Sequence, residues 1–482
     1  MPANFLHGVE TIELSRGPRP IRGVKTAVIG IVGTAPMLDV ATADRTLNTP
    51  RLVLNDRDAA KYFGSDRPGF TIPAALNAIF TQGNGPICVV VNVLNPDTHV
   101  TAVTDEARTV GSDDLVTLTH PQVSSVVVKH TSGTPTYVAG TDYTVDAGSG
   151  TIRRLTTGGI AAGQSLKISY SWLDPSKALA ADIIGTTDAG GNRSGLKALL
   201  DCYALFGFFP KILIAPGFSS AASVFAEMDA IAGKVRAISI ADVAGGTTVQ
   251  AAITGRGAGG TYNSSSKRTV FCYPYVKRYN SATDTEETVP YSQYLAGALA
   301  AKDAANGYWW SPSNTEIKGI TGVERQLTAM VNDPTSEVNL LNEVGLVTVF
   351  NSFGTGYRTW GNRSAAFPSS TEPTNFICVQ RTADVIHESV EYAMLQFLDY
   401  PINDALIDAI AESVNSFIRT LIGRGALIDG RCFYDPAKNP VTEIAAGHLT
   451  FDLEFMPPTP AERITFESYI NIDLLKNLGT GQ

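Results

Sequence analysis

Continuous apolar runs and helical stripes alternate along most of the chain, and the pattern breaks in one stretch. Residues 26–32 and 86–93 are apolar without alternation, which predicts strands buried on both faces of a parallel sheet. A polar loop and a helical stretch over 71–82 lie between them. From about residue 105 to 175 the chain instead offers short β-rich runs, at 125–129, 142–145, 151–155 and 165–170, separated by turn residues. Asp146-Ala147-Gly148-Ser149-Gly150 predicts a hairpin loop between two of these runs. The earlier pattern then resumes. Helices are expected over 195–206, 223–235 and 291–305, and strands over 211–216, 237–241, 269–273 and 344–350. This order predicts an α/β core with a small antiparallel β-domain inserted into it.

A different unit begins near Phe376. Residues 383–398 read as a helix with Ile386, Val390, Ala393, Met394 and Phe397 on one side. Pro401 starts a stronger one, whose apolar stripe runs through Leu406, Ile410, Val414, Phe417, Ile418 and Leu421 and stops at Gly423 and Gly425. Leu449, Phe451, Leu453 and Phe455 alternate with Thr450, Asp452 and Glu454 as a half-buried strand. Pro457-Pro458-Thr459-Pro460 stiffens the exit, because proline fixes φ and donates nothing to a ladder.

Two strand-like segments at the chain ends lack evident partners. Val9, Ile12 and Leu14 lie in a short extended run that Gly17-Pro18-Arg19-Pro20 cuts off from the body. Near the other end, Ile464, Phe466, Ile470 and Ile472 alternate with Arg463, Thr465, Glu467 and Asn471. A lone strand exposes unpaired N–H and C=O groups. Each arm therefore either folds back onto its own domain or adds a strand to the sheet of a neighbouring copy.

Length, charge and cysteines narrow the picture. At 482 residues, about two to four domains are expected. Charged residues are only 17% of the chain, with 44 Gly and 26 Pro, which suits a loop-rich protein that buries surface against neighbours. A net charge of −9 argues against general nucleic-acid binding. No apolar run reaches the roughly 18 residues of a membrane helix, and residues 1–7 do not read as a signal peptide. Cys88, Cys202, Cys272, Cys378 and Cys432 are scattered and odd in number, which predicts buried thiols in a reducing compartment.

No catalytic constellation stands out. Gly30-Ile31-Val32-Gly33 lacks the third glycine of a dinucleotide fingerprint and reads as a tight strand exit. Gly255-Arg256-Gly257-Ala258-Gly259-Gly260, with Lys267 beyond it, lacks the Gly-Lys-Ser/Thr ending of a phosphate loop. Gly217-Phe218-Ser219-Ser220-Ala221 matches a nucleophile elbow only loosely. His7, His99, His120, His130, His387 and His448 show no metal-ligand spacing, and His387-Glu388 reads as a surface or packed pair. No catalytic residue, cofactor or metal is assigned. An α/β enzyme with its site at the strand ends stays open as an alternative, as does a receptor-binding structural protein using the inserted β-domain.

Several segments resemble the tail sheath proteins of contractile-tailed bacteriophages, most closely the P2-like group, and are similar to sheaths of phage-tail-like bacteriocins. They are Phe5-Leu6-His7-Gly8-Val9-Glu10, residues 23–35, residues 182–188 leading into Ser194-Gly195-Leu196-Lys197-Ala198-Leu199, and residues 341–348 followed by Tyr357-Arg358-Thr359-Trp360-Gly361-Asn362-Arg363. Pro401-Ile402-Asn403 with its helix and Gly425-Ala426-Leu427 also fit. The resemblance runs from end to end except over 105–175, where the P2-like group lacks a domain.

The resemblance implies an N-terminal arm 1–23, a discontinuous α/β core 24–104 and 176–365, an inner α+β domain 366–460, and a C-terminal arm 461–482. The inserted antiparallel β-domain 105–175, which it does not cover, is expected on the outer surface because the core pattern resumes after it. The extended N- and C-terminal arms are implied to donate strands to neighbours through Val9, Ile12 and Leu14 and through Ile464, Phe466, Ile470 and Ile472. Leu449, Phe451, Leu453 and Phe455 would form the acceptor strand, and Asp404, Asp408, Glu412 and Arg419, with Asn415 on the same helix face, a tube contact. The implied partners are further copies in stacked hexamers, an inner tail tube protein, and baseplate and tail terminator proteins, with no direct nucleic-acid or membrane contact. The implied setting is the virion tail, assembled in the host cytoplasm, and the implied action is contraction without nucleotide.

Overall fold

The computed structural model describes residues 21, 23–83, 85–281, 283–351, 354 and 356–478. Its centre is an eight-stranded sheet in the order Arg358–Trp360, Leu346–Phe350, Thr269–Cys272, Ile238–Asp242, Ile212–Ile214, Val28–Gly33, Ile87–Asn92 and Arg51–Val53. The six inner strands run parallel and the two edge strands antiparallel. Alternate residues of one strand feed different layers, which explains the unbroken apolar runs. Ile29 and Ile31 join one core with the helices Thr71–Thr81 and Ser292–Asn306. Val28 and Val32 join the other, with the helix Ala222–Val235. Gly33 is required by packing: a Cβ there would meet Thr71 Oγ1 at 2.3 Å.

Between Ile87–Asn92 and residue 174 the chain builds two three-stranded antiparallel sheets around one apolar cluster that includes Val116, Val128, Tyr143, Ile152 and Ile168. One sheet orders Val100–Thr109, Ser165–Leu173 and Val123–His130; the other orders Leu115–Thr117, Thr151–Arg154 and Tyr143–Asp146. The antiparallel region starts at Val100, earlier than the expected residue 105, because a polar, alternating strand carries no apolar run to mark it. Its neck is closed by Asp174 N donating to His99 O at 2.9 Å.

Other elements depart from the sequence reading. The expected polar loop before residue 71 holds a strand, Arg51–Val53, and a helix, Asp56–Phe63, capped by Asn55 Oδ1 accepting from Asp58 N at 3.0 Å. Gly195–Asp201 is a 3-10 helix, and only Cys202–Phe206 is α-helical. A small sheet of Thr285–Val289, Val276–Asn280 and Gly322–Val323 is additional. The helix expected from 383 begins at Ile377. All five cysteines are buried and unpaired. Among the described residues, no helix is long and apolar enough to cross a membrane.

Candidate assembly surface

Helix Ile377–Met394 joins the C-terminal unit to the sheet through a row of ion pairs. Arg381 pairs with Asp303, with Nη1 to Oδ1 at 2.7 Å, and donates to Thr26 O at 3.1 Å. Asp384 accepts both guanidinium nitrogens of Arg268 at 2.6 and 2.7 Å. Glu388 meets Lys211 at 2.5 Å, and Glu391 meets Arg236. The positions 381, 384, 388 and 391 lie on one helix face. Lys211 and Arg268 immediately precede strands of the parallel sheet, and Thr26 and Arg236 stand one residue further back, so the helix lies across the sheet's amino edge. Arg381, Asp384, Glu388, Lys211 and Asp303 are all buried. Burial holds the Lys211 ammonium below its ordinary pKa despite Glu388. His387 lies beside this row and packs edge-on against Phe455, ring centroids 5.5 Å apart.

Helix Asp404–Gly423 starts at Asn403, whose side chain accepts from Leu406 N at 2.8 Å. Its stripe of Leu406, Val414, Phe417, Ile418 and Leu421 is buried, worth roughly 1.5–3 kcal/mol per side chain. Val414, Phe417, Ile418 and Leu421 pack with Ile386 and with a two-stranded antiparallel sheet, Asp429–Tyr434 against Phe451–Met456. The sequence reading missed Asp429–Tyr434, whose glycine and charges hide it. Phe451, Leu453 and Phe455 are half-buried on this core, whereas Leu449 precedes the strand and does not belong to it.

The two edges of this small sheet are not equivalent. Asn415 Nδ2 donates to Cys432 O at 2.8 Å, and Asn415 Oδ1 accepts from Cys432 N at 2.7 Å. Asn415 therefore belongs to the packing and not to the exposed polar face where the sequence placed it. Because Cys432 directs its N–H and C=O at the helix, it forms a non-hydrogen-bonded pair with Leu453 opposite. Leu453 then directs its own N–H and C=O to the far edge, as do Phe451 and Phe455 by alternation. Among the described residues no strand lies along that edge.

Beyond it, residues 457–471 form no regular element, and Ile472–Asn477 is a 3-10 turn. The expected strand through Ile472 is thus absent in a single chain. Ile464, Phe466, Ile470 and Ile472 are 71, 90, 97 and 75% exposed. Val9, Ile12 and Leu14 lie outside the described residues. Ile21 packs on the C-terminal core, and Val24 N donates to Ser389 Oγ at 3.3 Å. Asp404, Asp408, Glu412 and Arg419 are exposed, with Glu412 paired to Arg419.

At the carboxyl end of the parallel sheet, the end of strand Ile238–Asp242 is packed over. Asp242 is fully buried and accepts from Ser292 N and Oγ at 2.8 and 2.5 Å and from Ser219 Oγ at 3.1 Å. Burial raises its pKa, against donors from Ser292 in the first turn of helix Ser292–Asn306, from Ser219 and from Cys272. Two open grooves, of about 550 and 410 Å³, are not lined by Asp242, Ser219 or Ser292. The described residues include no cluster of three or more metal-ligating side chains.

The segment 357–363 turns the sheet edge into the C-terminal unit. Trp360 stacks on Phe350 at 4.3 Å. Gly361 has φ 122°, and Ile377 N donates to Asn362 O at 2.9 Å. This turn lies within residues 191–365, which match the phage tail sheath protein central domain, while residues 369–471 match the phage tail sheath C-terminal domain. The chain is 48% identical to the tail sheath protein of Burkholderia phage BcepMu, covering all of both chains. The chain belongs to the tail sheath proteins of contractile phage tails. It is 26% identical to the tail sheath protein of Escherichia phage P2, over 99% of this chain and 98% of that one. Its fold is similar to the anti-feeding prophage helical sheath in the contracted state, with a TM-score of 0.60 and 16% identity over 97% of this chain and 99% of that one. Residues 96–181 of the sheath protein match a family described only as a protein of unknown function. The sheath protein is structural and not an enzyme, which removes the enzyme alternative.

Proposed function

We propose that this sheath protein polymerises as stacked hexameric rings around an inner tail tube, and that contraction of the polymer drives the tube through the bacterial envelope. The open edge of Phe451–Met456 carries this reading, together with the exposed apolar arm that follows it. An edge with free N–H and C=O groups is stable only when covered, and an arm rich in exposed apolar residues supplies a cover. The arm of one copy, through Ile464, Phe466, Ile470 and Ile472, pairs with the Phe451–Phe455 edge of the next. The N-terminal arm, through Val9, Ile12 and Leu14, supplies a second link.

Residues 24–99 and 174–365 act as the body, 100–173 as an outward decoration and 366–460 as the inner unit. Asp404, Asp408, Glu412 and Arg419 meet the tube through exposed charges worth roughly 0–1 kcal/mol each, weak enough to release as the sheath widens. Baseplate and tail terminator proteins cover the two ends of the polymer. Assembly takes place in the host cytoplasm, with no direct contact to nucleic acid or membrane. Contraction draws on interface area gained between two packings of rigid subunits that the arms keep tethered.

Deleting residues 461–482 tests the reading. The expected product is a folded monomer that forms no tubes by negative-stain microscopy. Normal tubes from this variant would remove the arm as the link between subunits.

A further inference from the structure

The C-terminal arm is pinned at its root to the central region. Glu462 accepts from Arg363 Nε at 3.1 Å, and its other oxygen faces Arg363 Nη2. Arg363 is itself held in place. Its Nη1 donates to Asn375 Oδ1 at 2.5 Å, and its guanidinium lies 3.7 Å from the Phe376 ring centroid and 4.6 Å from that of Phe367. The Arg363 side chain is 16% exposed and that of Glu462 45%. The guanidinium is thus a prepared seat, and Glu462 is the part of the arm that sits in it. Past Glu462 the arm forms no regular element until Ile472, and Ile464 and Phe466 are exposed.

We propose that Arg363 is a positioning residue that sets the direction in which the C-terminal arm leaves the subunit, aiming it at a second copy of this chain. This rests on the reading of the arm as a link between subunits. An arm with a free root samples many directions. Fixing its root confines the apolar segment to fewer of them and raises its effective concentration at the neighbour's open edge. The stiff Pro457-Pro458-Thr459-Pro460 stretch before the root acts in the same sense. A planar fork suits this task, since two parallel donors fix the carboxylate's angle where an ammonium would fix only its distance.

Glu462→Gln tests the proposal while leaving the Arg363 seat among Asn375, Phe367 and Phe376 intact. The monomer's melting temperature should not change. At low salt the critical concentration for tube formation should rise about two- to fivefold, the scale of one partly exposed ion pair. At high salt wild type and variant should converge. A spin label on a cysteine introduced by Thr465→Cys should become more mobile in the Glu462→Gln monomer than in the otherwise wild-type one. Wild-type assembly at low salt, or unaltered label mobility, would overturn the proposal. If deleting 461–482 abolishes tubes while Glu462→Gln assembles normally, the arm still links subunits and only the role of Arg363 falls. If the deletion leaves tubes intact, the arm reading falls first.

Discussion

Asp384 receives both arms of Arg268 and the Nε2 of Gln380 at 3.1 Å, all near the amino edge of the sheet. A buried ion pair adds little net stability compared with an apolar replacement, but removing one partner strands the other charge. Asp384→Ala should therefore lower unfolding stability by about 3–5 kcal/mol. Arg268→Met combined with Asp384→Leu should recover much of that loss, as denaturant titration of the unassembled chain would show. A single-variant cost near zero would mean that water reaches the pair. His387, one turn along, adds a pH dependence of known sign. Burial, reinforced by Arg236 and Lys267, lowers its pKa below the ordinary 6.5, against the opposing pull of Asp384 and Glu391. The unfolded chain then binds this proton more readily than the folded one. The stabilising contribution is complete above pH 6.5 and is lost as pH falls from there through the folded pKa. His387→Gln should flatten the stability profile in that window and leave it unchanged above it. None of these pairs was legible in the sequence, where His387-Glu388 read as one surface or packed couple. Their partners lie far along the chain, and only the fold brings them together.

At the scale of elements, legibility followed the apolar pattern. Ile87–Asn92, Ala222–Val235 and Asp404–Gly423 were readable because their own residues fix both period and burial. Asp429–Tyr434 was not, because it is held by the Asn415 amide and by Phe451–Met456 and not by an apolar run of its own. The alternation over 463–472 was readable, but a single chain supplies no ladder for it. The geometry of the small sheet yields a selective test. Leu453 directs its N–H to the open edge, whereas Glu454, opposite Arg431, belongs to a hydrogen-bonded pair within the sheet. Leu453→Pro should block polymerisation far more than it destabilises the monomer, once Leu453→Ala has been used to subtract the lost packing. Glu454→Pro should damage the monomer directly. Equal monomer damage from both prolines, measured by thermal unfolding, would mean that the edge at Leu453 is already engaged within its own chain.

At the scale of the molecule, the two antiparallel sheets between Val100 and Leu173 are fastened to the body at few points. Gln122 is fully buried with φ 59°; its Oε1 accepts from Leu38 N at 2.8 Å and its Nε2 donates to Asp39 Oδ1 at 2.7 Å. Leu173 is buried in the body's core. The neck itself is narrow, since Asp174 N reaches His99 O at 2.9 Å, so a few residues can bridge it. Replacing residues 100–172 with a short Gly/Ser linker keeps Leu173 in place. It leaves Asp39 with Arg67, at 2.8 and 3.0 Å, and with Ser65 Oγ at 2.6 Å, while Asp174 loses Thr101 Oγ1 from its Oδ2 and keeps Ser176 Oγ on its Oδ1 at 2.6 Å. Leu38 N loses its acceptor but gains access to water. Leu173 N likewise loses Gln122 O at 2.8 Å, so the cost to the body should be about 2–4 kcal/mol, that of several exchanged hydrogen bonds. The expected outcome is a soluble chain, less stable, that still forms tubes of normal ring spacing. Tubes with altered spacing would show that these sheets touch neighbouring subunits, and an insoluble chain would show that the body depends on them for folding. The fixed Gln122 contact sharpens the distinction. Sheets held in one orientation change the spacing only if they bear on a neighbour, whereas sheets on a loose tether could be lost without any geometric trace.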